Sequence, residues 1–127
     1  IGESKEDRDA GRTKNVLVKQ LSILSNIFED VLSNIVIAYE PVWAIGTEHA
    51  ATVEQAEEVH AFIRKTLAAE WGQVAQDIRI LYGGSVSSQN AEALFNCKEI
   101  DGGLVGKACL DPASFAKICS LAIQSTQ

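Results

Sequence analysis

The segment Ile35-Val36-Ile37-Ala38-Tyr39-Glu40-Pro41-Val42-Trp43-Ala44-Ile45-Gly46-Thr47 decides how the rest of the chain is read. Its first five residues form a β-branched and aromatic run, the pattern of a buried strand. The run stops at a carboxylate followed by proline, which has no N–H for a sheet ladder and a fixed φ, so the chain leaves the sheet there. Glu40 is therefore expected at the C-terminal tip of a strand. The loop after it carries large apolar residues and a glycine, a composition suited to covering something. On position alone, a glutamate at a strand end is more often a solvated edge charge than a functional group. The whole string, not the position, singles this one out.

Working outward, Ile1-Gly2-Glu3-Ser4 reads as the tail of a strand that runs into a polar stretch, residues 5–12. From Thr13 the spacing of Leu17, Leu21, Leu24, Phe28 and Val31 predicts an amphipathic helix, broken at Ser33-Asn34. After the loop, Thr52-Val53-Glu54-Gln55 fits a capping box and opens a helix whose buried stripe is Ala56, Val59, Ile63, Leu67 and Trp71, with Gly72 as its stop. Residues 78–82 form the next predicted strand, ending in Gly83-Gly84-Ser85-Val86, and a short helix capped by Ser88 runs to about Cys97. A last strand, Gly103-Leu104-Val105, ends in Gly106-Lys107-Ala108. Asp111-Pro112 then supplies an N-cap carboxylate and a proline at the first helical position, with Phe115, Ile118, Cys119 and Ala122 facing inward.

Connections of this length between strands require a parallel sheet, hence an α/β fold. Periodicity alone does not separate a barrel segment from an open doubly wound sheet. Functional-looking residues follow several different strands, which favours the barrel. No Gly-x-Gly-x-x-Gly or P-loop occupies a strand-to-helix turn, which argues against a dinucleotide or nucleoside triphosphate.

The 127 residues, 46% hydrophobic, suit one modest core, as one domain or part of one. A net charge of -6 with no basic block argues against nucleic acid or an anionic membrane as a partner. An anionic substrate would then need local donors such as backbone N–H groups. Cys97, Cys109 and Cys119 are odd in number and too widely spaced for a zinc quartet, so buried or half-buried free thiols in a reducing cytosol are expected. His49 and His60 stand apart from each other and from the cysteines, so a metal site is not expected. The apolar runs fall short of the roughly 18 residues of a membrane span, and no leader pattern opens the chain, so a cytoplasmic location is expected. The first residue, Ile1, is compatible with processing, truncation or partial coverage.

Residues 39–47, followed in order by Tyr82-Gly83-Gly84-Ser85-Val86 and Gly106, and preceded by Ile1-Gly2-Glu3, closely resemble the triosephosphate isomerase family. The resemblance spans essentially the whole chain but only about the C-terminal half of the family's parallel (β/α)8 TIM barrel, from the tail of strand 5 to helix 8. It implies that residues 1–127 are half of a single barrel domain. Glu40 would move the proton between adjacent carbons of dihydroxyacetone phosphate and glyceraldehyde 3-phosphate through an enediol-like intermediate. The Gly46 N–H, Ser85, Gly106 and the position of Lys107 would hold the phosphate. Pro41, Val42, Trp43, Ala44, Ile45 and Thr47 would form a mobile lid, supported by Tyr39, Tyr82, Gly83, Gly84 and Glu3. The resemblance further implies a homodimer, no cofactor, and an electrophilic lysine and histidine supplied by the N-terminal half. Neither His49 nor His60 matches that histidine.

Three positions depart from the family pattern: Glu48-His49 follows Thr47 in place of glycine, Lys107 replaces the glycine after Gly106, and Cys109 replaces a serine. Two other readings stand beside this one. A segment of another phosphate-binding barrel, of the kind used in amino-acid biosynthesis, accounts for the glycine pairs but not for the lid string. An inactive, self-associating half-barrel accounts for the chemistry that is missing.

Overall fold

The computed structural model describes residues 1–27, 29–45 and 50–125. Three strands, β1 (Val36–Tyr39), β2 (Arg79–Tyr82) and β3 (Gly102–Gly103), form a parallel sheet in chain order, with Tyr39 paired to Tyr82 and Tyr82 to Gly103. Six helices accompany them among the described residues: α1 (Lys5–Asp9), α2 (Thr13–Leu21), α3 (Glu29–Leu32), α4 (Val53–Trp71), α5 (Ala91–Phe95) and α6 (Pro112–Ser125). The segment 1–3 continues the sheet beyond β1. The Ile1 nitrogen donates to the Ala38 carbonyl at 2.8 Å, Glu40 N–H to Ile1 O at 2.8 Å, and Val42 N–H to Glu3 O at 3.1 Å, the slanted spacing of a parallel ladder. The expectation of a strand tail at residues 1–4 is met by this ladder.

Successive strand side chains alternate between faces, and the two faces differ here. Ile37, Tyr39, Ile80 and Tyr82 are buried under the helices, whereas Val36 and Arg79 are exposed on the other side with Ala38 and Leu81 only half-buried. A sheet in sequential strand order, covered on one face, is the arrangement of a barrel segment; a doubly wound sheet reverses its strand order and covers both faces. Glu40 continues the Val36–Ala38 side and so belongs to the less covered face.

Local chemistry explains most element boundaries. Thr52 and Gln55 form the expected capping box, and Gly72, at φ 57°, ends α4. The Asp111 carboxylate accepts from Ser114 N–H at 2.8 Å and starts α6. Four expectations need correction. The helix from Thr13 ends at Leu21 and gives way to a 3-10 segment, Ser22–Asn26; the tighter turn shifts the phase, so Leu32 is buried and Val31 is 43% exposed, while Phe28 lies outside the described residues. Ser88 does not cap α5. The turn before α5 is closed by Ser87 N–H to Asn90 Oδ1 (2.8 Å) and Ala91 N–H to Ser87 O (2.9 Å). β3 lies at Gly102–Gly103, not 103–105, because Asp101 N–H already pairs with Ile80 O. On and just before α6, Ile118 is buried and Ala122 packs partly against the core, but Phe115 and the thiols of Cys109 and Cys119, expected inside, are exposed, and only Cys97 is half-buried.

Two buried polar residues on α4, one turn apart, fasten it to the sheet. Arg64 donates to the Ala75 and Ile78 carbonyls and to Asp101 Oδ2, and Asp101 Oδ2 also accepts from Ile80 N–H at 2.7 Å. This satisfies a guanidinium that would otherwise be costly to bury. His60 is fully buried, with Nδ1 3.2 Å from the Glu99 carbonyl and its ring against Tyr39 and Tyr82. A carbonyl only accepts, so Nδ1 carries the proton of the neutral ring.

Burial pushes the His60 imidazole down to about 4 from 6.5. Between those values the unfolded chain binds the extra proton, so the stability associated with neutral His60 is fully present above about pH 6.5 and is lost as pH falls toward 4. The expected loss is about 3 kcal/mol across that window. Urea unfolding of the parent and of His60→Gln between pH 7 and pH 4 measures it; equal pH dependence of the two proteins would show that His60 does not contribute.

Candidate active site

The C-terminal edge of the sheet opens into a cavity of about 390 Å3 lined by Glu40, Ile45, residues 83–86 and residues 104–108. The sequence places these segments after three different strands; the parallel register puts them side by side. Gly83 N–H donates to Tyr39 O at 2.8 Å and Leu104 N–H to Tyr82 O at 2.9 Å, so each loop leaves the sheet at the same level. The Glu40 side chain lies directly over Gly83, where a Cβ would collide with Glu40 Cγ. Gly84 is constrained likewise, since a Cβ there would overlap the Tyr82 hydroxyl. The glycine pair is thus required by two neighbouring side chains. The loop is braced by Asn90, whose Nδ2 donates to Ser85 O at 2.8 Å while Ser85 itself lines the cavity.

Glu40 is half-buried, with Ser85, Gly106 and Lys107 exposed around it. Lys107 opens a 3-10 turn, Lys107–Leu110, whose first two residues line the cavity. A carboxylate beside two glycine loops can accept a proton from a small molecule held in the same cavity, and glycine lets that molecule approach the loop backbone closely.

Behind Glu40, Pro41 is buried and Val42–Ala44 form a 3-10 turn, with Ala44 N–H donating to Pro41 O at 2.8 Å. Val42 and Ile45 are 56% and 45% exposed, and Ile45 lines the cavity. Gly46 and Thr47, together with Glu48 and His49, lie outside the described residues.

The turn is held by a buried carboxylate. Glu3 is completely buried and accepts from the Tyr39 hydroxyl (3.1 and 3.0 Å), Trp43 Nε1 (3.1 Å) and Arg8 Nη1 (2.9 Å). The Arg8 guanidinium also lies 4.6 Å over the Trp43 ring, a cation–π contact. Burial, and then the Glu3 charge, drive the Tyr39 hydroxyl well above the usual phenol range, so it stays a donor. Burial also raises Tyr82. The Tyr82 hydroxyl has no hydrogen-bond partner among the described residues.

Sequence reasoning named Glu3 and Trp43 but missed Arg8 and Asn90. The available signal for Arg8 was its place on a short helix five residues after a strand-end glutamate. Among the described residues, no group of histidine, cysteine, aspartate or glutamate side chains is arranged to hold a metal ion. No helix of the described residues is long and apolar enough to cross a membrane.

A family profile described as "Triosephosphate isomerase" matches residues 1–122. Proteins named triosephosphate isomerase are similar along nearly the whole chain. That of Pseudomonas putida (strain W619) is 51% identical over 123 residues, covering 96% of this chain and 49% of the relative. Those of Ruthia magnifica subsp. Calyptogena magnifica and Alkalilimnicola ehrlichii are each 50% identical, covering 94% and 96% of this chain. The chain spans about half the length of the curated relatives it matches. With the sequential parallel sheet, the glutamate at a strand tip and the two glycine loops facing it, these matches establish that the chain belongs to the triosephosphate isomerase family.

Proposed function

We propose that this chain is the C-terminal half of one (β/α)8 barrel domain and carries the base and phosphate cup of a triosephosphate isomerase. Glu40 removes a proton from the carbon next to the carbonyl of dihydroxyacetone phosphate and returns it to the neighbouring carbon, giving glyceraldehyde 3-phosphate. Gly46, Ser85 and Gly106 hold the phosphate, residues 41–47 close over it, and Glu3, Tyr39, Tyr82, Gly83 and Gly84 support that lid. The electrophile that polarises the carbonyl comes from the complementary half of the barrel, and the complete enzyme is a cytoplasmic homodimer that needs no cofactor. The observation that carries this reading is the single cavity shared by Glu40 and both glycine loops. Mixing the chain with the segment of a relative that it does not cover, and assaying triose phosphate interconversion, tests it; a folded, mixed barrel without turnover would refute it.

A specific observation favours the inactive, self-associating state for the isolated chain. Val36, Leu104 and Leu110 are 49%, 46% and 82% exposed, and the Val36 and Arg79 side of the sheet is uncovered. Unpaired strand edges and uncovered apolar side chains recruit other copies.

Lys107 keeps the N–H that the cup requires, and its exposed stem can carry the ammonium into water. Lys107→Gly is accordingly expected to change KM less than about tenfold, under roughly 1.4 kcal/mol. Measuring KM at low and moderate salt checks this: a large salt-dependent rise would make the ammonium a direct phosphate ligand.

A further inference from the structure

A second cavity, of about 340 Å3, lies apart from the Glu40 cavity, between α1, α2 and α4. Its wall includes Leu17, Val59 and Phe62, and Arg8 and Lys14 line it as cations. We propose that it binds a small amphipathic monocarboxylate, and that its occupancy is transmitted to Trp43 through Arg8. An apolar wall with a few charged groups, at this volume, is the composition of a ligand pocket.

The charges select the ligand class. Lys14 Nζ sits 5.5 Å from the Phe62 ring centroid and 3.8 Å from Glu58 Oε1, with both partners of that ion pair mostly exposed. Such a pair contributes little and yields readily to a better-placed carboxylate. Arg8 gives one nitrogen to Glu3, and a guanidinium has five N–H donors, so others remain for a ligand. The Glu58 carboxylate on the same wall disfavours a dianion such as phosphate and leaves a single negative charge as the best match. An alkyl body then lies along the half-buried Phe62 ring, behind which Leu17 and Val59 are buried.

The same Arg8 guanidinium stacks on Trp43 and binds Glu3, so a ligand that pulls on it changes the surroundings of the indole. Binding stands apart from the isomerase reading; only the meaning of a Trp43 response for the lid rests on it.

The test uses hexanoate and the 127-residue chain. The chain has two tryptophans, so Trp71→Phe leaves Trp43 as the sole reporter. Hexanoate is expected to change Trp43 emission saturably, with half-saturation on the order of 1 mM, while hexylamine does not. Lys14→Glu, at an exposed position, should raise the half-saturation at least tenfold, and Glu58→Gln should lower it. The site is overturned if no saturable binding is seen by emission or by saturation-transfer NMR, or if hexylamine or Lys14→Glu titrates like the parent with hexanoate. Binding seen by NMR with silent Trp43 emission overturns the transmission through Arg8. Failure of the isomerase reading would show separately, as a mixed barrel that binds hexanoate and does not turn over triose phosphate.

Discussion

The isolated 127-residue chain is expected to show no triose phosphate isomerisation and to self-associate, and the complementary half of a relative is expected to restore turnover. Abstracting a proton next to a carbonyl creates charge on the oxygen, and without a preorganised donor there the barrier stays high. Among the described residues lining the Glu40 cavity, the cation is Lys107 at the rim, and no histidine takes part. His60 is on the other side of the sheet, neutral and turned to the Glu99 carbonyl. A coupled assay on the chain alone, beside sedimentation analysis, reads both expectations. A monomer turning over near an ordinary enzyme rate would mean that the cavity is catalytically complete as it stands.

Within the completed barrel, Glu40 carries the second large effect. Glu40→Asp keeps a carboxylate but draws it back by one methylene, toward Gly83, and a displacement near 1 Å can cost roughly 100-fold. Glu40→Gln removes the base altogether, for which losses up to about 10⁴-fold are typical of general base catalysis. Both losses are expected in kcat with KM little changed, because the loops proposed to hold the phosphate are left in place. Steady-state kinetics of the two variants decide it. If Glu40→Asp stayed within threefold of the parent, the proton would have to move by another group.

The sequence by itself determined the class of fold and the position of Glu40. A five-residue apolar run ended by Glu-Pro can only deliver the carboxylate at a strand tip, and the capping box at Thr52 and the Asp111-Pro112 start are local chemistry that tertiary packing did not override. The glycine pair at 83–84 was legible as a special loop. Its cause was not, since only the parallel register sets Glu40 over Gly83 and folds the Tyr82 hydroxyl against Gly84.

Where helix turns tightened, the periodic pattern misled: the 3-10 segment after Leu21 rotated Val31 outward and Leu32 inward, and no residue in that stretch signals the change of period. The four-residue phase on α6 likewise placed Phe115 inward, but its exposure depends on what packs against the helix, which lies beyond local sequence. Long-range polar contacts were the least readable. Arg8, five residues from Glu3 and thirty-five from Trp43, joins them, and Arg64 reaches Asp101 thirty-seven residues on. A charged side chain on a polar helix looks solvated until the fold supplies a buried partner, because the cost of burying it is offset by groups that only tertiary structure brings within reach.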